Sequence, residues 1–94
     1  VVMREALLLN RPVIEAKIEA LCNYLEIDGK FEGFLSFVAR LNADLNIPKS
    51  LSELGVKDPD IKALVASALQ DPSCGGNPVT LTTANMTQLL TNCL

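Results

Sequence analysis

Few residues of this chain could do chemistry, and the segment that invites it is Asp71-Pro72-Ser73-Cys74-Gly75-Gly76-Asn77-Pro78. Cys74 is a nucleophile by type, and the two glycines after it offer backbone N–H groups of the kind that form anion-holding nests. A working thiol also needs a base to take its proton. The sequence holds no histidine, so the residues favour a packed or cleft-facing loop cysteine over a catalytic one. Gly75-Gly76 is no phosphate cradle either. A dinucleotide fingerprint needs three spaced glycines between a strand and a helix, and a P-loop ends in Gly-Lys-Ser/Thr. The pair reads instead as glycines at positive φ that let helices turn and pack closely.

Carboxylates come close together at Glu15/Glu19 and Asp58/Asp60. The first pair sits one turn apart on a solvated helical face near Lys17. The second lies at a helix start, where acids complement the helix dipole. General acid/base work needs a desolvated pair with separated pKa values, and neither qualifies. The three cysteines, Cys22, Cys74 and Cys93, form no CxxC pair, which argues against a zinc site. No catalytic residue and no metal ligand is assigned.

Net charge is −3, from 8 basic and 11 acidic residues scattered along the chain. Nothing forms the basic stripe that phosphate binding requires, which argues against nucleic acid and against an anionic membrane surface. Cys22 and Cys93 fall on apolar helical faces, where a free thiol behaves as a small hydrophobe. That is the profile of a reduced, cytoplasmic protein. The apolar run Val1–Leu9 is too short to cross a bilayer and lacks the layout of a signal peptide. It reads as a helix entered in its middle, and the chain as a fragment. A hydrophobic share of 49% in 94 residues is high for a small domain. It predicts apolar surface that meets another domain or a second copy.

The elements that must position the loop are helices. Asn10 is suited to cap one whose first turn contains Pro12, with Ile14, Ile18, Leu21, Cys22 and Leu25 on its apolar face. Asp28-Gly29 breaks that run. A second helix carries Phe31, Phe34, Leu35, Val38, Leu41 and Leu45 at spacings of three and four, with Phe37 off the main stripe. It must stop near Ile47, because Pro48 disfavours helical geometry before it. Ser50-Leu51-Ser52-Glu53 has capping-box spacing, and Gly55 closes the turn it opens. Asp58-Pro59 starts another helix, which Asp71-Pro72 stops. Thr82 or Thr83 caps the last, with Met86, Leu89, Leu90 and Cys93 on one side. Val79-Thr80-Leu81 is an extended link rather than a strand. The class is all-α: an irregular bundle of about five helices without a sheet, forming one helical subdomain over 1–94.

Several of these segments resemble, in order and spacing, the C-terminal helical part of iron-containing alcohol dehydrogenases, within the dehydroquinate synthase-like superfamily. They are Asn10-Arg11-Pro12, Gly33-Phe34-Leu35, Leu45-Asn46-Ile47-Pro48 with Leu51-Ser52-Glu53-Leu54-Gly55-Val56, and Asp71-Pro72 leading into Gly75-Gly76-Asn77-Pro78-Val79. The resemblance covers essentially the whole chain. It implies a two-domain parent whose N-terminal α/β domain binds NAD(P) and whose helical domain holds Fe2+ or another divalent metal through Asp and His ligands. Hydride would pass between a short-chain alcohol and the nicotinamide while the metal polarises the oxygen. In the family the metal-binding His segment lies upstream of the part matched by Val1–Asn10. This chain alone would therefore bind no cofactor and be inactive, and its partner would be the rest of the parent. The resemblance also puts Ser73 and Cys74 on a loop that borders the cofactor cleft on the nicotinamide side. Two other readings predict different proteins: a free-standing helical module that binds a partner helix in an apolar groove, and a small thiol enzyme built on Cys74.

Overall fold

A computed structural model describes all residues 1–94. Met3–Leu25 form one continuous helix, α1, with Pro12 inside it. This corrects the expected break at Asn10, and the five expected helices become four. Proline in a helix interior removes one amide hydrogen bond and crowds the carbonyl four residues back, costing about 3 kcal/mol. Packing overrides that cost here. Leu7 lies before Pro12 and Ile18 after it, and both pack on the same core of Cys22, Phe34 and Val38. Ending the helix at Asn10 would take one of them out of register.

α1 ends on Glu26, which adopts a left-handed φ of 58°. The chain then turns through Gly29, at φ 92°, into α2, Lys30–Asp44. The corner is tight. A Cβ built on Gly33 would lie 1.8 Å from the carbonyl oxygen of Asp28, so only glycine lets the first turn of α2 pass under that carbonyl. The Cys22 thiol donates to the Lys30 carbonyl at 3.3 Å. Arg11 closes the other side: its guanidinium lies 4.5 Å over the Phe31 ring and pairs with Glu15 and Glu32. Phe31, Phe34, Leu35 and Val38 are buried as their spacing predicts, whereas Leu41 and Leu45 are exposed. α2 stops at Asp44, somewhat before Ile47, through a left-handed Asn46.

The 50–55 turn forms as its residues suggest. Ser50 Oγ accepts from the Glu53 amide, the Glu53 carboxylate accepts from the Lys49 amide, and Gly55 closes the turn at φ +89°. It is tied to the C-terminus by Leu51 N–H to the Cys93 carbonyl, and by Ser52 Oγ–H to the Leu94 carbonyl, both at 2.7 Å. α3 spans Ile61–Gln70. Its cap is Asp60 rather than the expected Asp58, because the Asp60 carboxylate is the one that reaches the Ala63 amide. Asp58 instead takes a left-handed turn at φ 42°. α4, Thr83–Asn92, opens on a full capping box between Thr82 and Asn85.

α1 packs on α2, α3 on α4, and α4 returns to α1, where Asn92 donates to Glu5 at 3.1 Å. No residue is in a β-strand. The body is flat, 41 × 30 × 18 Å, and only nine residues are buried. Apolar side chains such as Val13, Tyr24, Phe37 and Leu45 therefore remain at the surface.

Gly33→Ala should destabilise the chain by about 1–3 kcal/mol, the usual range for overpacking, despite alanine's better helix propensity. Urea unfolding checks this. A variant as stable as the parent would show that the Asp28 carbonyl can move aside freely.

Candidate functional site

The loop after α3 is built by one acid and two prolines. Asp71 stops α3 and caps a short 3-10 turn, Pro72–Gly76. Its carboxylate accepts from the Ser73 amide at 2.7 Å, and its carbonyl accepts from the Cys74 amide at 3.0 Å. Asn77 N–H then bonds the Cys74 carbonyl at 3.2 Å. These amides are spent inside the turn and do not point together at an anion. Gly75 and Gly76 correct the expectation made of them: neither has positive φ. The 3-10 geometry makes the bend with ordinary φ. A Cβ at either position would meet nothing within 4 Å.

What fixes the loop against the bundle is an amide pair between residues far apart in sequence. Asn10 Nδ2 donates to Asn77 Oδ1 at 2.9 Å, and Asn77 Nδ2 donates to Asn10 Oδ1 at 2.7 Å. The same Asn10 oxygen accepts from the Val79 amide at 3.1 Å, while Asn77 Nδ2 also reaches the Val79 carbonyl at 2.7 Å. Asn10 is the one buried polar residue, 7% exposed. It is a strut from mid-α1 to the loop and not the helix cap expected of it. Two sequence signals bear on this contact: a lone amide after Leu7-Leu8-Leu9, and an Asn-Pro step in the loop. Neither signal names its partner.

The loop and the end of α3 enclose a cleft of about 260 Å³ lined by Leu69, Cys74, Gly75, Asn77, Thr80 and Leu81. Cys74 thus lines the cleft, whereas Ser73 is exposed beside it. The Cys74 thiol is turned back to donate to the Ala68 carbonyl at 2.6 Å, so its proton is held by a helix end and not by a base. Cys22 and Cys93 are buried, and burial, followed by the charge of Glu5, pushes the Cys93 thiol up. A larger groove of about 360 Å³ lies elsewhere, over Leu35, Val38 and Ile47 with Arg4, Lys49 and Asn92 among its lining. It brings together no set of groups suited to catalysis. Nowhere do three His, Cys, Asp or Glu side chains converge to hold a metal, and with no histidine present these residues do not fit an iron site.

The Ser73 amide, then its hydroxyl, hold the Asp71 carboxyl below its ordinary value of 3.8. A lowered folded value favours the charged form in the native loop. That stabilisation is complete above the ordinary value and is lost as pH falls through the folded one. Hydrogen exchange at Ser73 should therefore lose protection from about pH 4 downward, while Asp71→Asn makes the profile flat. An equally flat profile in the parent chain would remove Asp71 as the turn's anchor.

The sequence pattern of the Fe-containing alcohol dehydrogenase family, C-terminal, matches residues 1–94. Lactaldehyde reductase of Escherichia coli (strain K12) is 42% identical over 52 residues, covering 55% of this chain and 14% of that protein. NAD-dependent methanol dehydrogenase of Bacillus methanolicus is 30% identical over 89 residues, 84% of this chain and 23% of that protein. 1,3-Propanediol dehydrogenase of Citrobacter freundii is 44% identical over 41 residues, 44% of this chain and 11% of that protein. The chain thus spans less than a quarter of the length of these curated relatives. No solved structure matches it significantly. With four helices, no strand and a match along its whole length, the chain belongs to the Fe-containing alcohol dehydrogenase family, as its C-terminal helical part.

Proposed function

We propose that the chain serves as the supporting C-terminal part of a cytoplasmic, NAD(P)-linked alcohol dehydrogenase that interconverts a short-chain alcohol and its aldehyde or ketone. The observation that carries this reading is the family match over all 94 residues. The relatives, a lactaldehyde reductase and two dehydrogenases of small alcohols, favour a small substrate. The metal and the nucleotide domain belong to the rest of the parent. No step is assigned to iron on these residues. Within the parent, the 71–78 loop forms part of the cofactor cleft's wall, with Ser73 and Cys74 at its border on the nicotinamide side. The exposed apolar side chains of α1 and α2 cover, and are covered by, the remainder of the enzyme or a second copy. No helix is long and apolar enough to cross a membrane.

The full-length enzyme should reduce NAD or NADP with a short-chain alcohol, followed by nicotinamide absorbance, and the 94-residue chain alone should not. Turnover by the chain alone, or stoichiometric tight iron on it, would overturn the reading. In sedimentation the isolated chain should self-associate at high concentration through its exposed apolar faces. A clean monomer would instead leave those faces to the rest of the parent alone.

A further inference from the structure

We infer that Asn10 is a positioning residue: acting through Asn77, it sets the wall of the 260 Å³ cleft and the placement of Cys74 at its edge. The inference rests on the reading of the 71–78 loop given above. Asn10 does not itself line the cleft, whereas its partner Asn77 does.

The geometry singles out this residue in three ways. The loop's internal hydrogen bonds run among Asp71, Ser73, Cys74 and Asn77, and the Cys74 thiol ties its start to the Ala68 carbonyl of α3, so they fix its shape and its near end but not its far end against α1. That far end is set where the chain leaves the turn, and there Asn77 and Val79 are both bonded to one side chain, Asn10. That side chain is buried and all of its polar atoms are used, with no unpartnered buried polar atom in the chain. An amide buried in mid-helix is costly unless fully paired. Removing it leaves the Val79 amide and Asn77 Oδ1 without partners at the same moment, with only the Asn77 bond to the Val79 carbonyl remaining, and no other side-chain hydrogen bond joins the loop to α1. Misplacing a cleft wall by about 1 Å can cost on the order of a hundredfold in rate without any contact to the chemistry itself.

Two experiments test the assignment. In the chain itself, Asn10→Ala should speed labelling of Cys74 by a bulky maleimide about tenfold or more, while the buried Cys22 keeps its protection. Unchanged labelling of Cys74 would show that Asn10 does not hold the loop, whatever the enzyme does. In the full-length enzyme, Asn10→Ala and Asn77→Ala should each lower kcat/KM for the alcohol about tenfold or more, and the double variant should be little worse than either. Arg11→Ala is the control. It sits next to Asn10 but faces Phe31, Glu15 and Glu32, so it should lower Tm and leave kcat/KM unchanged. If Asn10→Ala only lowers Tm in the same way, Asn10 is structural and the inference falls. If the wild-type enzyme shows no alcohol-dependent reduction of NAD(P), it is the functional reading that fails, and the Cys74 result still decides the role of Asn10 in placing the loop.

Discussion

α1 has to pass Pro12 without breaking, because the rest of the chain is attached to it on both sides of that point. Upstream, Glu5 receives Asn92 of α4 and Asn10 receives the loop. Just before Pro12, Arg11 holds Phe31 and Glu32, and downstream of it Cys22 closes the corner into α2. A helix broken after Asn10 would let the contacts of Glu5 and Asn10 rotate independently of those of Arg11 and Cys22. The proline cost of about 3 kcal/mol is of the same size as burying one or two large apolar side chains, at about 1.5–3 kcal/mol each. α1 places Leu7 and Ile18 on the core and Cys22 inside it, so continuity wins.

The same continuity decides what Asn10 does. Asparagine favours a cap because its side chain competes for nearby backbone groups. Inside an unbroken helix no free amide is left beside it, so the side chain is released for a distant partner. An amide fits the place because it donates on one side and accepts on the other. The Asn10 oxygen takes two donors and its nitrogen gives one bond. A leucine in its place, continuing the run before it, would leave the Val79 amide and Asn77 Oδ1 unpaired, at about 1–3 kcal/mol for each group left unsatisfied away from water. The buried polar contact therefore ties a loop with little apolar surface of its own to the bundle.

Features governed by neighbours in sequence were legible from the residues. The α2 stripe from Phe31 to Val38, the Thr82 cap, the glycine that closes the 50–55 turn and the all-helical class each depend on a few adjacent positions. So did the loop as the place where periodicity stops. What escaped was governed by contacts across the fold or by choices between similar neighbours. Pro12 is a start signal in isolation and an interior residue only because Leu7 and Ile18 share one core. Asp58 and Asp60 are both plausible caps, and only the path of the backbone makes Asp60 the one that reaches Ala63. Gly33 carries no warning in the sequence that the Asp28 carbonyl lies against it. At Gly75-Gly76, positive φ was an inference from composition, whereas 3-10 bonding bends the chain without it. Ser73 and Cys74 could be placed on a loop from sequence, but only three dimensions put Cys74 in the lining of the cleft and Ser73 outside it.

The surface continues the argument from the core. A helix of an isolated small domain has one apolar stripe and a polar remainder. α2 departs from that pattern: its apolar stripe runs on past Val38 to Leu41 and, at its cap, Leu45, and with Phe37 beside the stripe all three stay exposed. On α1, Val13, Leu21 and Tyr24 share a second face in the same way. Helices whose apolar surface reaches past the core are elements to be covered by more protein. Family membership supplies the reason: in the relatives this part is less than a quarter of a longer chain, so the faces are where the bundle would meet more protein. The division of labour follows from chemistry as much as from shape. The chain holds no histidine, and no three His, Cys, Asp or Glu side chains converge on these helices. What they can do is hold a loop in place, and the buried amide pair is the contact through which they do it.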